Sequence, residues 1–220
     1  MTAKPSHLAH HFADLEQQHL TATLGMWLFL ATEAMVFGGL FLVYGVYRIK
    51  YAAEFEAASA HLNITFGAVN TVVLLTSSLT MVLAVFFAQT GQRELLTLGL
   101  VLTAVLGTAF LVIKGFEYHD DYLDGLMPGL AFDEAEWTAK GLQPQQVKLF
   151  LIIYYIMTGV HAVHLIIGIG LMAVLAFMAW RNRFTPTHYY PVEVGGLYWH
   201  FVDVIWVFLL PLLYLAGVRQ

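Results

Sequence analysis

Five long apolar runs constrain this chain more than any other feature of its sequence. A helix needs about 20 mostly apolar residues to cross the hydrocarbon core of a bilayer. Only helices and closed barrels satisfy their backbone hydrogen bonds in lipid, and continuous rather than alternating apolar runs favour helices. The sequence therefore predicts an all-α membrane protein, a bundle of five transmembrane helices within one domain of residues 1–220. The predicted helices are residues 22–47, 65–89, 95–116, 149–180 and 197–217.

The composition excludes several other classes of protein. Hydrophobic residues make up 59% of the chain and charged residues 11%, whereas a soluble domain carries about 25% charged residues. The chain has no cysteine, which excludes disulfide scaffolds, cysteine-ligated zinc, iron–sulfur clusters and thiol catalysis. A formal net charge of −5 argues against a nucleic-acid partner, because such proteins carry a basic face.

One long connection separates the third and fourth runs. Residues 117–148 contain seven carboxylates against two lysines, so we predict an acidic loop on the outer side of the membrane. Lysine and arginine are divided almost evenly between the two sides, and the positive-inside rule therefore does not decide the orientation. We expect a cytoplasmic N-terminus and a periplasmic C-terminus.

Glu33 is the clearest ionisable residue within an apolar run. Such residues are costly in a membrane and are functional candidates by default. Two interpretations remain open: a protonated carboxyl that hydrogen-bonds a neighbouring helix, or a proton or lipid site. Ala34 and Gly38 have the spacing of a close helix contact, which favours a protein-facing location for this segment.

Further polar residues occur in pairs on the later runs. His161 and His164 are three residues apart, as are His200 and Asp203, and this spacing places each pair on one face of a helix. Glu117 follows Lys114 at the end of the third run. A di-iron bundle would carry Glu-x-x-His on two helices, and none of the apolar runs contains that motif. We therefore predict no metal, cofactor or catalytic residue in this chain, and interhelical hydrogen bonds for the histidines.

Five characteristic segments follow one another along the five runs. They are Met26–Glu33, Asn70–Ser78, Gly115–Tyr118, the Thr-Gly-x-His-x-x-His segment Thr158–Gly168, and Tyr198–Trp206. Together they resemble subunit III of the haem–copper terminal oxidases, over nearly the whole chain from Thr23 to Gly217. The first segment looks like the family helix that bears a buried glutamate, and the other four are similar to successive helices of the family.

The resemblance implies a core but non-catalytic subunit of a cytochrome c oxidase type complex, which reduces oxygen to water and translocates protons. Haem and copper would lie in subunits I and II, and a small subunit IV and a larger respiratory supercomplex are further expected partners. Phospholipid is the expected ligand, and the bacterial plasma membrane the expected location. Glu33, Glu117, His161, His164, His200 and Asp203 would form polar interhelical and lipid-head-group contacts.

Two features of the chain bear on this interpretation. The larger family members have seven helices, and this chain corresponds to their last five, so part of the family's lipid cleft must come from elsewhere. His7, His10 and His11 precede the first run, and histidines titrate near neutral pH. Two interpretations remain open: these three belong to a solvated polar tail, or they collect protons at the inner membrane surface.

Other functions stay open at this point. The chain could serve a quinol oxidase or accompany a nitric oxide reductase, because subunit III carries neither the donor site nor the gas-reducing site. A stand-alone membrane enzyme or channel would instead use Glu33, the two histidines of the fourth run, His200 and Asp203. That alternative predicts metal binding or transport by the isolated chain.

Overall fold

The computed structural model describes residues 12, 14–215 and 217, which are almost entirely helical. The elements, in chain order, are α1 (Leu15–Lys50), α2 (Ala52–His61), α3 (Ile64–Gln89), α4 (Arg93–Leu123), β1 (Leu126–Met127), β2 (Ala131–Phe132), α5 (Glu134–Ala139), α6 (Pro144–Trp180) and α7 (Tyr190–Tyr214). Within this described part, five helices are long and apolar enough to cross a membrane: α1, α3, α4, α6 and α7. The predicted all-α membrane class is confirmed.

Several helices extend beyond the apolar runs that predicted them. Helix α1 begins at Leu15, where the Asp14 side chain accepts a hydrogen bond from the Gln17 backbone N–H at 2.7 Å. Helix α4 continues to Leu123 instead of ending at 116, and α7 begins at Tyr190 instead of 197. Most of the added residues are polar, charged, aromatic or glycine, so an apolarity criterion misses them. Helix α1 has 36 residues and is about 54 Å long, so it projects beyond a hydrocarbon core of about 30 Å.

The connection predicted as a loop over residues 117–148 is largely folded. Its first residues form the end of α4, and its last residues form the start of α6. Between them β1 and β2 make a short antiparallel hairpin, and α5 buries Trp137. The Lys140 ammonium lies 2.6 Å from Glu136 and 2.9 Å from the His61 ring, which ties this connection to the end of α2.

The spanning helices alternate in direction. At one end, which we call the Arg93 end, the Gln18 side chain of α1 donates to the hydroxyl of Tyr190 in α7 at 2.7 Å. Arg93 at the start of α4 donates to the Ala179 carbonyl of α6 at 3.2 Å. At the opposite end, which we call the Lys114 end, Ser59 of α2 donates to the Leu213 carbonyl of α7 at 2.6 Å. Helices α3, α4, α6 and α7 pack on one another, and α1 lies at the periphery against α6 and α7.

Glycines let the central helices approach one large side chain. Trp199 of α7 is fully buried and lies between Gly107 of α4 and Gly168 of α6. A Cβ at Gly107 would lie 2.6 Å from the Trp199 ring, and one at Gly168 would lie 3.1 Å from it. The Trp199 indole N–H donates to the Ser77 hydroxyl of α3 at 3.1 Å. One tryptophan therefore connects four helices of the bundle.

Candidate functional site

The most extensive polar cluster lies inside the Lys114 end of the bundle. Lys114 and Glu117 are one turn apart on α4, and the Lys114 Nζ lies 3.0 Å from Glu117 Oε1. Tyr154 of α6 donates to the same oxygen at 2.9 Å, and Tyr214 of α7 does so at 2.5 Å. Lys114 in turn donates to both tyrosine hydroxyls, at 2.9 and 2.5 Å. The four side chains, which we call the Lys114 cluster, therefore join three helices.

Asp121 extends this cluster towards the membrane surface. It lies one turn after Glu117 and is buried. Its Oδ2 accepts from Tyr155 at 3.3 Å and lies 3.4 Å from the hydroxyl of Tyr154, whose proton goes to the nearer Glu117. Glu117 Oε2 has no hydrogen-bond partner among the described residues. It borders a polar cavity of about 270 Å³ that Asp121 also lines.

The sequence indicated only part of the Lys114 cluster. Glu117 was expected at the start of a loop, yet it lies within α4 with 1% of its surface exposed. Asp121 was counted only among the loop charges, and Tyr154 and Tyr214 were not considered. The spacing 114, 117 and 121 follows one helix face, so extending the third helix would have identified Asp121. No sequence signal identified the two tyrosines.

Glu33 and His164 form a second polar contact, near the middle of the membrane. Glu33 Oε2 of α1 lies 2.9 Å from His164 Nε2 of α6. The Nδ1 of His164 lies 2.8 Å from the Val160 carbonyl, and the edge of Phe37 packs on the ring. Both partners are largely shielded, with 19% and 15% of their side chains exposed. The structure thus joins two residues that the sequence singled out separately.

His161 does not take part in that contact. It is 1% exposed and packs between the rings of Phe110 and Trp206, with centroids 5.6 and 5.3 Å away. Neither ring nitrogen has a hydrogen-bond partner among the described residues, and the same holds for the side-chain amide of Asn70 in α3. The expected polar interhelical contact of His161 is therefore absent from the described part of the chain.

His200 and Asp203 lie on α7 beside the same serine of α3. The Ser78 hydroxyl lies 2.8 Å from His200 Nδ1. Asp203 is 4% exposed, and Ser78 is the polar side chain next to it. Its carboxyl oxygens make no hydrogen bond to any described residue. The pair therefore faces α3, but only His200 makes a polar interhelical bond.

The histidines proposed to collect protons, His7, His10 and His11, lie outside the described residues. The nearest described histidine is His19, whose Nε2 lies 3.2 Å from Glu193 Oε2 of α7. Both side chains are about 38% exposed. His19 also borders a small cavity of about 260 Å³ with His188. A group of titratable side chains therefore lies at the Arg93 end.

No group of three or more potential metal ligands occurs among the residues that the structure describes. Several ionisable residues in the spanning helices form polar contacts that join one helix to another. Glu33 of α1, for example, contacts His164 of α6. These features define a polytopic membrane protein of five spanning helices.

Comparison with known proteins identifies the family. A family model described as cytochrome c oxidase subunit III matches residues 145–218. The cytochrome c oxidase subunit 3 of Alkalihalophilus pseudofirmus is 31% identical over 199 residues, which cover 89% of this chain and 86% of that protein. The chain belongs to the cytochrome c oxidase subunit III family of the haem–copper oxidases, and so associates with other subunits of a respiratory oxidase. The resemblance read from the five motifs is confirmed.

Two further relatives extend the comparison. The cytochrome c oxidase subunit 3 of Synechocystis is 30% identical over 218 residues, which cover 97% of this chain and 81% of the relative. The cytochrome bo(3) ubiquinol oxidase subunit 3 of Pseudomonas putida is 29% identical over 197 residues, covering 89% of this chain and 86% of the relative. The family therefore includes subunits of both cytochrome c and quinol oxidases.

Proposed function

We propose that this chain is a non-catalytic core subunit that stabilises the catalytic subunit of its oxidase, binds lipid and supports proton uptake. The complex reduces oxygen to water and translocates protons, with haem and copper held in subunits I and II. The observation that carries this proposal is that ionisable side chains inside the membrane contact other residues of this chain. Glu33 of α1 contacts His164 of α6. Lys114 and Glu117 of α4 bond to Tyr154 of α6 and Tyr214 of α7, so these groups join the chain's own helices.

The outer surface of α1 supports direct contact with a partner subunit. Ala34 and Gly38 were expected to face protein, but both are exposed in the described chain. A Cβ at Gly38 or at Gly39 would meet nothing within 4 Å. Small residues let transmembrane helices approach closely. A helix of subunit I or of a small subunit IV packed there would give Ala34 and Gly38 the protein neighbour that their spacing predicts. Subunit II completes the core of the complex.

The side chains at the Arg93 end support a role in proton uptake. The His19 Nε2 lies 3.2 Å from the Glu193 Oε2, at the end of the bundle where α1 begins. Exposed histidine side chains can take up and release protons near neutral pH. His7, His10 and His11 precede this segment and would add to the same supply. The proposal places the Arg93 end at the cytoplasmic surface of a bacterial plasma membrane, with the C-terminus in the periplasm.

Cytochrome c is the proposed electron donor, and quinol is the second candidate. The relatives include a cytochrome c oxidase subunit 31% identical and a ubiquinol oxidase subunit 29% identical to this chain, so both donors have support. The donor is bound elsewhere in the complex. A copper-containing subunit II in the purified complex would support cytochrome c, and a copper-free subunit II would support quinol.

Selective removal of this subunit tests the proposed role. The intact oxidase is compared with the same complex after mild detergent has stripped this chain, and after the chain has been added back. We expect the stripped complex to keep its haem spectrum but to lose activity over successive turnovers, with slower proton uptake at alkaline pH. Addition of the chain should restore both properties. Equal durability and equal proton uptake before and after stripping would contradict the proposal.

A further inference from the structure

A long apolar groove runs along the outer surface between α4 and α6. Its volume is about 690 Å³, and it is lined by α4 between Val101 and Ile113 and by Ala173 and Ala176 of α6. The groove exists because α6 presents alanines where larger side chains would fill the space between the helices. The Thr108 hydroxyl in its wall donates to the Ala104 carbonyl of its own helix at 2.8 Å, so the wall offers little polarity to a ligand.

The groove has a basic end. Val101 also lines an adjoining cavity of about 460 Å³, which is bordered by Arg93, Glu94 and Trp180. The Arg93 guanidinium donates to the Ala179 carbonyl at 3.2 Å and to the Trp180 carbonyl. These bonds hold the guanidinium at the mouth of the groove.

A second guanidinium lies beside this mouth. The Arg181 guanidinium stacks on Phe177 at 5.2 Å and on Trp180 at 5.8 Å. Trp180 is 60% exposed, and tryptophan is enriched at the level of lipid head groups. The basic end of the groove therefore has the composition of a membrane interface.

The part of the groove near Arg93 fits one leaflet of a bilayer. The rise from Arg93 to Ile113 is about 30 Å at 1.5 Å per residue, which equals the whole hydrocarbon core of about 30 Å. A chain that enters at Arg93 would therefore reach the middle of the membrane near Ala104, within the half of the groove that Val101, Ala104 and Ala173 line.

We infer that this groove binds a phospholipid, with its phosphate at Arg93 and Arg181 and one acyl chain between α4 and α6. Guanidinium groups bind phosphate through charge-assisted hydrogen bonds. The charge at the mouth favours a phospholipid over a neutral transmembrane helix, which would leave both arginines without an anionic partner. Glu94 on the same rim complements a head group that carries an amine. The inference deepens the lipid-binding part of the proposed function, and rests on it, by assigning it to a particular groove.

Photolabelling of the intact oxidase complex in membranes tests this site. The probe is a phosphatidylethanolamine with a diazirine in the middle of one acyl chain, and the labelled peptides are identified by mass spectrometry. We expect labels to concentrate at residues 101–105 and around Ala173. Ala173→Phe should fill the groove and abolish this labelling, whereas Val174→Phe, on the exposed face of the same helix, should leave it unchanged.

The head-group contact is tested separately. A diacylglycerol with the same diazirine chain lacks the phosphate and should label the groove several-fold less. The double substitution Arg93→Gln and Arg181→Gln should reduce phospholipid labelling to the level of the diacylglycerol. Labelling of the groove no stronger than that of the exposed face of α3, or a cross-link from the groove to a partner subunit, would overturn the inference. The haem and copper content of each preparation reports independently on the proposed function.

Discussion

Glu33 Oε2 and His164 Nε2 lie 2.9 Å apart and join α1 to α6 near the middle of the membrane. The other ring nitrogen of His164 lies 2.8 Å from the Val160 carbonyl. Because a carbonyl only accepts, Nδ1 must carry a proton. The contact with Glu33 then needs one further proton, since a neutral Nε2 and a carboxylate would both present lone pairs. The pair is therefore joined by a proton and has no net charge.

Substitution of Glu33 tests this arrangement. Glu33→Gln supplies an amide N–H to His164 Nε2, so we expect a change of less than about 0.5 kcal/mol in the stability of the subunit within the complex. Glu33→Ala leaves the histidine unpaired in the bundle and should cost about 1–3 kcal/mol. Thr32→Ala on the neighbouring exposed position is the matched control. Thermal unfolding in detergent measures all three, and equal losses for Gln and Ala would argue against the shared proton.

The Lys114 cluster should depend on both members of its ion pair. Lys114→Met leaves Glu117 and Asp121 buried without their cation, so we expect a loss of about 3–5 kcal/mol. Adding Glu117→Gln to this variant should recover a large part of the loss, because it removes one of the unpaired carboxylates. A double-mutant cycle by thermal unfolding measures this coupling.

An exposed lysine provides the control for the cluster. Lys140 and Glu136 form an ion pair at 2.6 Å with about 40% of each side chain exposed. Exposed pairs contribute about 0–1 kcal/mol, so Lys140→Met should change stability little. If Lys114→Met and Lys140→Met had equal effects, the Lys114 cluster would not hold the three helices together.

The packing of Trp199 predicts opposite effects at two glycines. Gly107→Ala would place its Cβ 2.6 Å from the Trp199 ring, and overpacking of this kind costs about 1–3 kcal/mol. Gly170 lies on the exposed face of α6, where a Cβ meets nothing within 4 Å. Gly170→Ala should therefore be neutral or stabilise the helix by up to about 1 kcal/mol. Thermal unfolding and the tryptophan emission of the purified complex distinguish the two.

The contact between His19 and Glu193 predicts a change in the pH profile of turnover. His19→Gln removes a group that exchanges protons at the Arg93 end, so proton delivery should become limiting at a lower pH. We expect the alkaline fall in oxygen consumption to begin earlier, with unchanged turnover at acidic pH. His119→Gln, on an exposed position at the opposite end, is the control. Superimposable profiles for His19→Gln and the unmodified oxidase would count against the proton-uptake role.

The sequence predicted the spanning helices because lipid imposes a simple rule of length and apolarity. That rule does not extend to helix ends, where α4 continues through Tyr118 and Asp121 to Leu123. It also misses α2, whose ten residues are too short and too polar to read as a span. Turns that leave the hydrocarbon are stabilised by water and by neighbouring helices, which an apolarity pattern does not represent.

The candidate site was predictable residue by residue but not as a set of contacts. Glu33 and His164 each stand out as ionisable groups in an apolar run, but their sequence separation of 131 residues hides their contact. Tyr154 and Tyr214 are ordinary aromatic residues in sequence, and only the packing of α6 and α7 brings their hydroxyls to Lys114. His161 shows a different error. Its position beside His164 predicted a polar contact to another helix, but His161 packs between Phe110 and Trp206 and makes no hydrogen bond to a described residue.

Purification of the complex through an affinity tag on this chain tests the central claim most directly. The tagged chain is extracted in mild detergent, and the eluate is examined by its optical redox spectrum and by metal analysis. We predict that haem and copper co-purify with the tagged chain, in larger partner subunits. Both should be absent from the eluate when the chain has been stripped from the oxidase before purification. A colourless eluate that contains this chain without a large partner would contradict its assignment as an accessory subunit of an oxidase.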